Sequence, residues 1–368
     1  MSGFSAIDHS HMARALSLAA RARFTSKPNP MVGCVIAKED AVLGEGFHAR
    51  AGEPHAEVHA LRAAGQAARG ATAYVTLEPC AHHGRTPPCA DALIAAGVAR
   101  VVAACEDPFA QVAGRGFAAL RAAGIAVEHG LMAGQARELN AGFFSRIQRG
   151  RPWLRVKLAM SLDGRTALAD GESKWITSEP ARADVQLWRA RADAILTGSS
   201  TIVHDDPRLT VRIDTPHVAP LRVVLDRNGR LPHGARVLTD RAAPTLVLHG
   251  EGIDRDYPGH VQSQSVSPAD GGPGLDLAAV LSVLAERDIG ELLVESGATL
   301  AGALLRQGLV DELLIYVAPL LLGASGRPLL AGIDPTRMSE RLGLTLLETR
   351  HIGPDLRLRF RPENQAAH

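Results

Sequence analysis

His55, Glu57, Cys80 and Cys89 are the residues of this 368-residue sequence whose types and spacing are best suited to chemistry. One imidazole and two thiols form a borderline-to-soft ligand set that fits zinc, and three protein ligands leave a fourth tetrahedral position for water. Zinc lowers the pKa of such a water to about 7, which makes a nucleophile available at neutral pH. Each ligand is placed where a helix is expected to begin. Pro79 in particular reads as a helix start, whose positive end would favour the Cys80 thiolate. Glu57 follows His55 by two residues, close enough to take a proton from the water and deliver it to departing ammonia. One zinc per chain is expected. Cys34 and Cys105 lack a ligand-like neighbourhood and read as small core residues. His59 lies one helical turn beyond His55, but the order differs from the H-E-x-x-H of metalloproteases, so it reads as a neighbour of the ligands or a solvated side chain. His82 and His83 are loop histidines without an assigned role.

A second set of residues is suited to phosphate. Glu295-Ser296-Gly297-Ala298-Thr299-Leu300-Ala301-Gly302 follows an apolar run and opens a helical one. Small residues at such a turn let backbone N–H groups approach an anion at a helix N-terminus. Gly114-Arg115-Gly116 with Ala119 fits a dinucleotide pattern in letters only, because several residues separate it from the preceding strand. It reads as a loop and a helix start. The sequence holds neither G-x-S-x-G nor a Walker phosphate loop, which removes the simplest hydrolase and NTPase readings.

These residues need a scaffold of alternating strands and helices, and the pattern supplies one. Strand-like runs at 31–37, 73–77 and 99–105 alternate with helical runs at 55–68, 87–97 and 116–124, which predicts a compact α/β domain. Gly97 and Gly124 stand where helices are expected to stop. Residues 146–153 are rich in Arg, Gly and Pro, so a domain boundary is expected near Gly150. Beyond it, strands at 156–160, 194–198, 222–226, 245–249, 291–296 and 312–319 interleave with helices at 179–192, 277–288 and 300–308. That order implies a largely parallel sheet covered on both faces. Residues 263–274 read as a surface loop.

Composition narrows the function. With 46% hydrophobic and 21% charged residues and a net charge of +1, the chain reads as a soluble globular protein without the field that gathers nucleic acid or membrane. The first 24 residues read as an amphipathic helix instead of a signal peptide, and no run approaches the ~20 apolar residues that span a bilayer. A cytoplasmic setting is expected, in which four cysteines serve metal or core, not disulfides.

Further stretches resemble a known family. The order H-x-E followed by P-C and a second Cys is that of the zinc nucleobase deaminases, although eight residues, not two, separate Cys80 from Cys89. Pro28-Asn29-Pro30-Met31-Val32-Gly33, the run Thr76-Leu77-Glu78-Pro79-Cys80 continued by His82, Gly84, Arg85, Thr86, Pro87, Pro88 and Cys89, and Val112 to Gly116 resemble the deaminase half of bacterial bifunctional riboflavin-biosynthesis proteins. Residues 155–165, 173–177 and 205–212 resemble the reductase half. The sequence departs from the pattern at Phe109-Ala110, where Asn-Pro is usual.

The resemblance implies a cytidine-deaminase-like three-layer domain over residues 1–148 and a dihydrofolate-reductase-like α/β domain over 149–368. It implies hydrolytic deamination of a diaminopyrimidinone ribosyl phosphate, then NADPH-dependent reduction of the ribosyl chain to ribityl. By matching position, Ala159, Trp175, Thr201, Asp205 and the turn Gly297, Ala298, Thr299, Leu300, Ala301, Gly302 and Ala303 would hold NADPH. Ser173, Arg189, Leu209, Arg212 and Glu295 would face the substrate, with Lys157 a proton donor by its motif position. Arginines suit a sugar phosphate through their fork of donors. A small phosphorylated pyrimidine is thus the expected partner, with no nucleic acid or membrane, and a homo-oligomer is the expected assembly. The competing readings are a nucleic-acid or nucleoside deaminase with an accessory nucleotide-binding domain, and a zinc-stabilised binding module. The first would want a basic groove and interleaved aromatics, and aromatics are only 4% of the chain. The second would not need Glu57.

Overall fold

The computed structural model describes residues 3–81, 88–110, 112–269, 272 and 274–363. The chain divides into two compact units, Met1–Gly150 and Arg151–His368.

The first unit runs α1 (Ala6–Ala20), β1 (Gly33–Lys38), β2 (Ala41–Phe47), α2 (Ala56–Ala64), β3 (Thr72–Val75), α3 (Cys89–Ala96), β4 (Arg100–Ala103), α4 (Arg115–Ala122), β5 (Ala126–His129), α5 (Ala133–Leu139) and α6 (Ala141–Arg149). Among the described residues the strands form one sheet in the order β2-β1-β3-β4-β5, parallel from β3 to β5 and antiparallel around β1. Side chains alternate across a strand, and the sequence of β1 uses both faces. Cys34 and Ile36 pack under Ala56 and Ala60 of α2, Leu93 of α3 and Leu120 of α4. Val35 and Ala37 pack with Met12 and Ala15 of α1, Ala136 of α5 and Phe144 of α6. The result is helix, sheet, helix. Cys34 and Cys105 are core residues, as their surroundings in sequence suggested. Ser5 and Asp8 cap the start of α1 reciprocally, and Gly97 ends α3 in the left-handed region at φ 70°.

The second unit runs β6 (Trp153–Ser161), β7 (Arg165–Ala167), α7 (Glu179–Arg191), β8 (Ala194–Gly198), α8 (Ser199–Asp205), β9 (Leu221–Leu225), α9 (Arg236–Thr239), β10 (Thr245–His249), β11 (Val261–Ser265), α10 (Leu277–Glu286), β12 (Glu291–Glu295), α11 (Ala298–Arg306), β13 (Glu312–Ala318), β14 (Arg327–Pro328), β15 (Leu344–Ile352) and β16 (Asp355–Pro362). Its main sheet has the order β11-β10-β9-β8-β12-β6-β13-β16-β15 among the described residues, parallel from β11 to β13. The antiparallel hairpin β15–β16 closes one side. Several elements differ from the sequence reading, the short β7, β14, α8 and α9 among them. Ser263–Ser265 completes edge strand β11 where a loop was expected, and the β15–β16 hairpin was not anticipated.

Alternation also sorts the central strands of this unit. Leu154, Val156 and Leu158 of β6, Leu292 and Val294 of β12, and Leu313, Ile315 and Val317 of β13 pack with α10 and α11 in the main core. The intervening residues face α7 and mix apolar side chains, Leu293, Leu314 and Tyr316 packing with Ala181, Val185 and Trp188, with charged ones. Arg155 pairs with Glu312 at 2.9 Å and Glu291 at 3.2 Å, and Arg191 with Glu291 at 2.8 Å. Trp188 of α7 lies over the Arg155 guanidinium at 4.7 Å. Further along the same face, toward the carboxyl ends of the strands, come Lys157, Glu295 and Tyr316.

Candidate active sites

In the first unit the three proposed ligands converge from different elements. His55 is the residue immediately before α2, and Cys89 is the first residue of α3. Cys80 lies beyond the end of β3 in irregular structure and does not open a helix, which corrects the expectation from Pro79. The helix waits until Cys89. It still serves Cys80, because the Cys89 N–H at the start of α3 donates to the Cys80 Sγ at 3.3 Å. His55 Nδ1 lies 3.2 Å from Cys89 Sγ and 3.6 Å from Cys80 Sγ, and the three ligand atoms lie within 4.8 Å of one another. Bonds of about 2.0 to 2.3 Å in a tetrahedron place ligand atoms roughly 3.5 Å apart, so the set fits zinc.

The electrostatics agree with a cation at this point. The Cys89 thiol, followed by His55 and the Cys89 N–H, holds Cys80 down at about 4 against the effect of burial. The same pairing with Cys80, together with burial, pushes the Cys89 thiol up; metal binding requires both as thiolates. Hydrogen bonding to Cys80 raises His55. Glu57 is buried at 3% exposure, and burial pushes its carboxyl up to about 7. Its Oε2 has no hydrogen-bond partner among the described residues. A buried carboxylate oxygen left unpaired beside three ligand atoms marks a place reserved for something else.

His48 is a neighbour that the sequence did not single out. It stands edge-on to His55 with ring centroids 5.3 Å apart, and its Nε2 lies 3.0 Å from Nδ2 of Asn29, within the Pro28-Asn29-Pro30 run. Its position just past the end of β2 was the available signal. His59 is not among the ligands, and its Nε2 is buried with no hydrogen-bond partner among the described residues, which removes the solvated reading for that atom. His82, His83, Gly84, Arg85, Thr86 and Pro87 lie outside the described residues. At the departure from the family pattern, the Phe109 N–H donates to Asp107 Oδ1 at 2.8 Å and the Phe109 ring is 38% exposed.

In the second unit, Arg189 of α7 grips Glu295 at the end of β12 through two bonds of 2.6 and 2.9 Å and donates to the Thr210 carbonyl at 3.0 Å. Glu295 is in register with Lys157 on β6. Burial depresses the Lys157 ammonium, with Arg189 adding and Glu295 opposing. Arg212 belongs to the same cluster: burial and then Arg189 lower its guanidinium, with Glu295 opposing, and its backbone N–H donates to Gln186 Oε1 at 3.0 Å. Leu209 is buried at φ 50°. Ala159 follows Lys157 on the same face of β6 and opposes Tyr316 of β13.

The other predicted residues come from the segment before α7, from α8 and from the turn after β12. Ser173 and Trp175 stand on an exposed segment before α7, with the Arg182 guanidinium 4.5 Å over the Trp175 ring. Thr201 and Asp205 lie on α8, which follows β8. Gly297 is the N-cap of α11, so Ala298, Thr299 and Leu300 offer the helix's unpaired N–H groups, whereas the Ala301 N–H already bonds to the Gly297 carbonyl. Gly302 has a packing reason of its own, since a Cβ there would meet the Ala331 carbonyl at 2.0 Å. Ala301, Gly302 and Ala303 therefore belong to the body of the helix.

A family model described as the RibD C-terminal domain matches residues 152–358, and one described as the cytidine and deoxycytidylate deaminase zinc-binding region matches residues 5–105. Over 363 residues the chain is 51% identical to riboflavin biosynthesis protein RibD of Escherichia coli, covering 95% of this chain and 98% of that one. The chain belongs to the RibD family. RibD of Haemophilus influenzae is 45% identical, with 98% and 99% of the two chains covered. Among solved structures, Acinetobacter baumannii RibD superposes with a TM-score of 0.89 at 46% identity, covering 97% of this chain and 99% of that chain. A Thermotoga maritima protein described as a diaminohydroxyphosphoribosylaminopyrimidine deaminase/5-amino-6-(5-phosphoribosylamino)uracil reductase gives 0.86 at 33% identity with the same coverage. The RibD chain thus has the expected cytidine-deaminase-like and dihydrofolate-reductase-like folds. It is a bifunctional deaminase and reductase of riboflavin biosynthesis that uses zinc and NADPH and acts on a small molecule. No helix among its described residues is long and apolar enough to cross a membrane.

Proposed function

We propose that residues 1–148 remove the ring amino group of 2,5-diamino-6-(5-phosphoribosylamino)pyrimidin-4-one, and that residues 149–368 reduce the ribosyl chain of the product to ribityl. The observation that carries this reading is the unpaired Glu57 carboxylate oxygen beside the His55, Cys80 and Cys89 ligand set. His55, Cys80 and Cys89 would hold zinc, which when bound supplies Lewis acidity that lowers the pKa of water. Glu57 takes the proton of the attacking water at Oε2 and passes it to the departing amino nitrogen. A carboxyl raised to about 7 by burial can do both at neutral pH.

In the second unit NADPH, when bound, supplies hydride to the sugar C1′. The N–H groups of Ala298, Thr299 and Leu300 after Gly297 suit its phosphates, and Ala159, Trp175, Thr201 and Asp205 suit the rest of it. The Arg189 fork is committed to Glu295, which leaves Arg212 to meet the substrate phosphate. Ser173, Leu209 and Glu295 line the sugar, and Lys157, readied by a depressed pKa, donates the proton that accompanies the hydride. Ala301, Gly302 and Ala303 act through the helix they build.

Homo-oligomerisation through the β15 edge is part of this reading, since Leu344, Leu346 and Leu347 are exposed on that outer strand. Four free cysteines support a reducing, cytoplasmic setting. The test is ammonia release from the diaminopyrimidinone ribosyl phosphate by purified protein of known zinc content, followed by NADPH oxidation on the same sample. One zinc per chain, ammonia and then NADPH consumption are expected. Zinc with neither activity would overturn the assignment.

A further inference from the structure

Glu78 is buried at 3% exposure, two residues before the ligand Cys80, and its carboxylate accepts four backbone N–H groups. Oε2 takes those of Asp107 at 3.2 Å and Gly114 at 3.0 Å, and Oε1 those of Gly116 at 2.9 Å and Phe117 at 3.3 Å. Its own N–H donates to the Cys105 carbonyl at 2.9 Å. One side chain therefore ties the segment that carries Cys80 to both ends of the segment that follows β4 and to the first turn of α4.

The placement of that second segment gives the contact its meaning. Ligands of open α/β sheets bind outside the carboxyl ends of the parallel strands. Cys80 follows the carboxyl end of β3, and Asp107, Pro108 and Phe109 follow that of β4, its parallel neighbour. The packing leaves no slack: a Cβ on Gly116 would lie 1.9 Å from the Pro79 carbonyl, and Gly114 holds φ 73°.

We propose that Glu78 is a positioning residue of the deaminase site: it holds Asp107, Gly114 and the first turn of α4 against the stretch that carries Cys80 and so sets the affinity for the substrate. The role rests on reading the first unit as the deaminase. An interaction that holds ground state and transition state equally well, when lost, raises KM and leaves kcat nearly unchanged, and a segment that only frames the substrate is of this kind.

In Glu78→Gln an amide N–H₂ replaces one acceptor and faces two of the four donors. Its KM for the diaminopyrimidinone ribosyl phosphate is expected to rise about tenfold or more while kcat falls less than about threefold. Zinc should stay at one per chain, and NADPH oxidation with deaminated intermediate supplied should match the wild type. Gly116→Ala keeps the Glu78 side chain but drives the first turn of α4 off the Pro79 carbonyl, 1.9 Å from the new Cβ, and crowds Glu78 Oε1 at 3.1 Å; it is expected to give the same KM-dominated defect, which decides the matter if Glu78→Gln does not fold. An unchanged KM in either folded variant, a defect confined to kcat, or loss of zinc would overturn the positioning role. A wild-type chain that releases no ammonia would overturn the deaminase reading itself.

Discussion

Lys157 has three neighbours that set its chemistry: Glu295 in register on β12, Arg189 reaching from α7, and the Tyr316 ring 5.9 Å from its Nζ. Burial is the strongest influence and lowers its pKa from the ordinary lysine value. A donor must be protonated, so reductase activity should be full below the folded pKa of Lys157 and fall as pH rises through it, earlier than an exposed lysine would allow. The check is the pH profile of kcat/KM for NADPH oxidation. Lys157→Met is expected to lose roughly 10²-fold or more in kcat and to abolish that basic limb; unchanged turnover would remove Lys157 from the chemistry. Residues of this kind were legible in sequence where type and spacing alone constrain them, as with His55, Glu57, Cys80 and Cys89. They were not legible where the fold makes the contact. His48 meets His55 only because β2 ends beside the start of α2, and Arg189 is engaged by Glu295 106 residues away.

At the scale of elements, the α7-facing side of β6, β12 and β13 combines a hydrophobic cluster of Leu293, Leu314 and Tyr316 with buried ion pairs. Burial alone would raise Glu312, but Arg155 and Arg359 outweigh it and hold the carboxyl well below its ordinary value; Glu291 is lowered by Arg191 and Arg155 in the same way. Groups depressed in the folded state stabilise it fully above the unfolded carboxylate value of about 4.3 and lose that contribution as pH falls below it. Thermal unfolding followed from pH 7 to pH 3 should show this loss. Glu312→Gln, which leaves Arg155 and Arg359 facing a neutral group, is expected to destabilise the second unit by about 3 kcal/mol at pH 7 and to flatten its acid dependence. A variant as stable as the wild type would contradict this. Most elements could be read from the chain because buried parallel strands are continuous apolar runs between helical ones. The sheet edges could not. In β11 the sequence Val-Gln-Ser-Gln-Ser exposes nearly every residue, and β15 is exposed along most of its length, so neither carries the burial pattern that marks a strand.

Over the whole molecule, each unit has its own hydrophobic cores and its own cluster of reactive groups. The two activities should therefore be separable by chemistry that touches one site. A chelator that strips zinc from His55, Cys80 and Cys89 is expected to stop ammonia release and leave NADPH oxidation intact when deaminated intermediate is supplied, with activity assayed after zinc is returned. Division into two α/β units was readable from the Arg-, Gly- and Pro-rich stretch around Gly150, and family resemblance supplied the substrate that no residue pattern specifies. The most direct test of the assignment is Glu57→Gln, measured for zinc content, ammonia release and NADPH oxidation on one preparation. The expected result is zinc near one per chain, ammonia release reduced by about 10³-fold or more, and wild-type NADPH oxidation with deaminated intermediate. Full ammonia release by Glu57→Gln would contradict the role of the carboxylate.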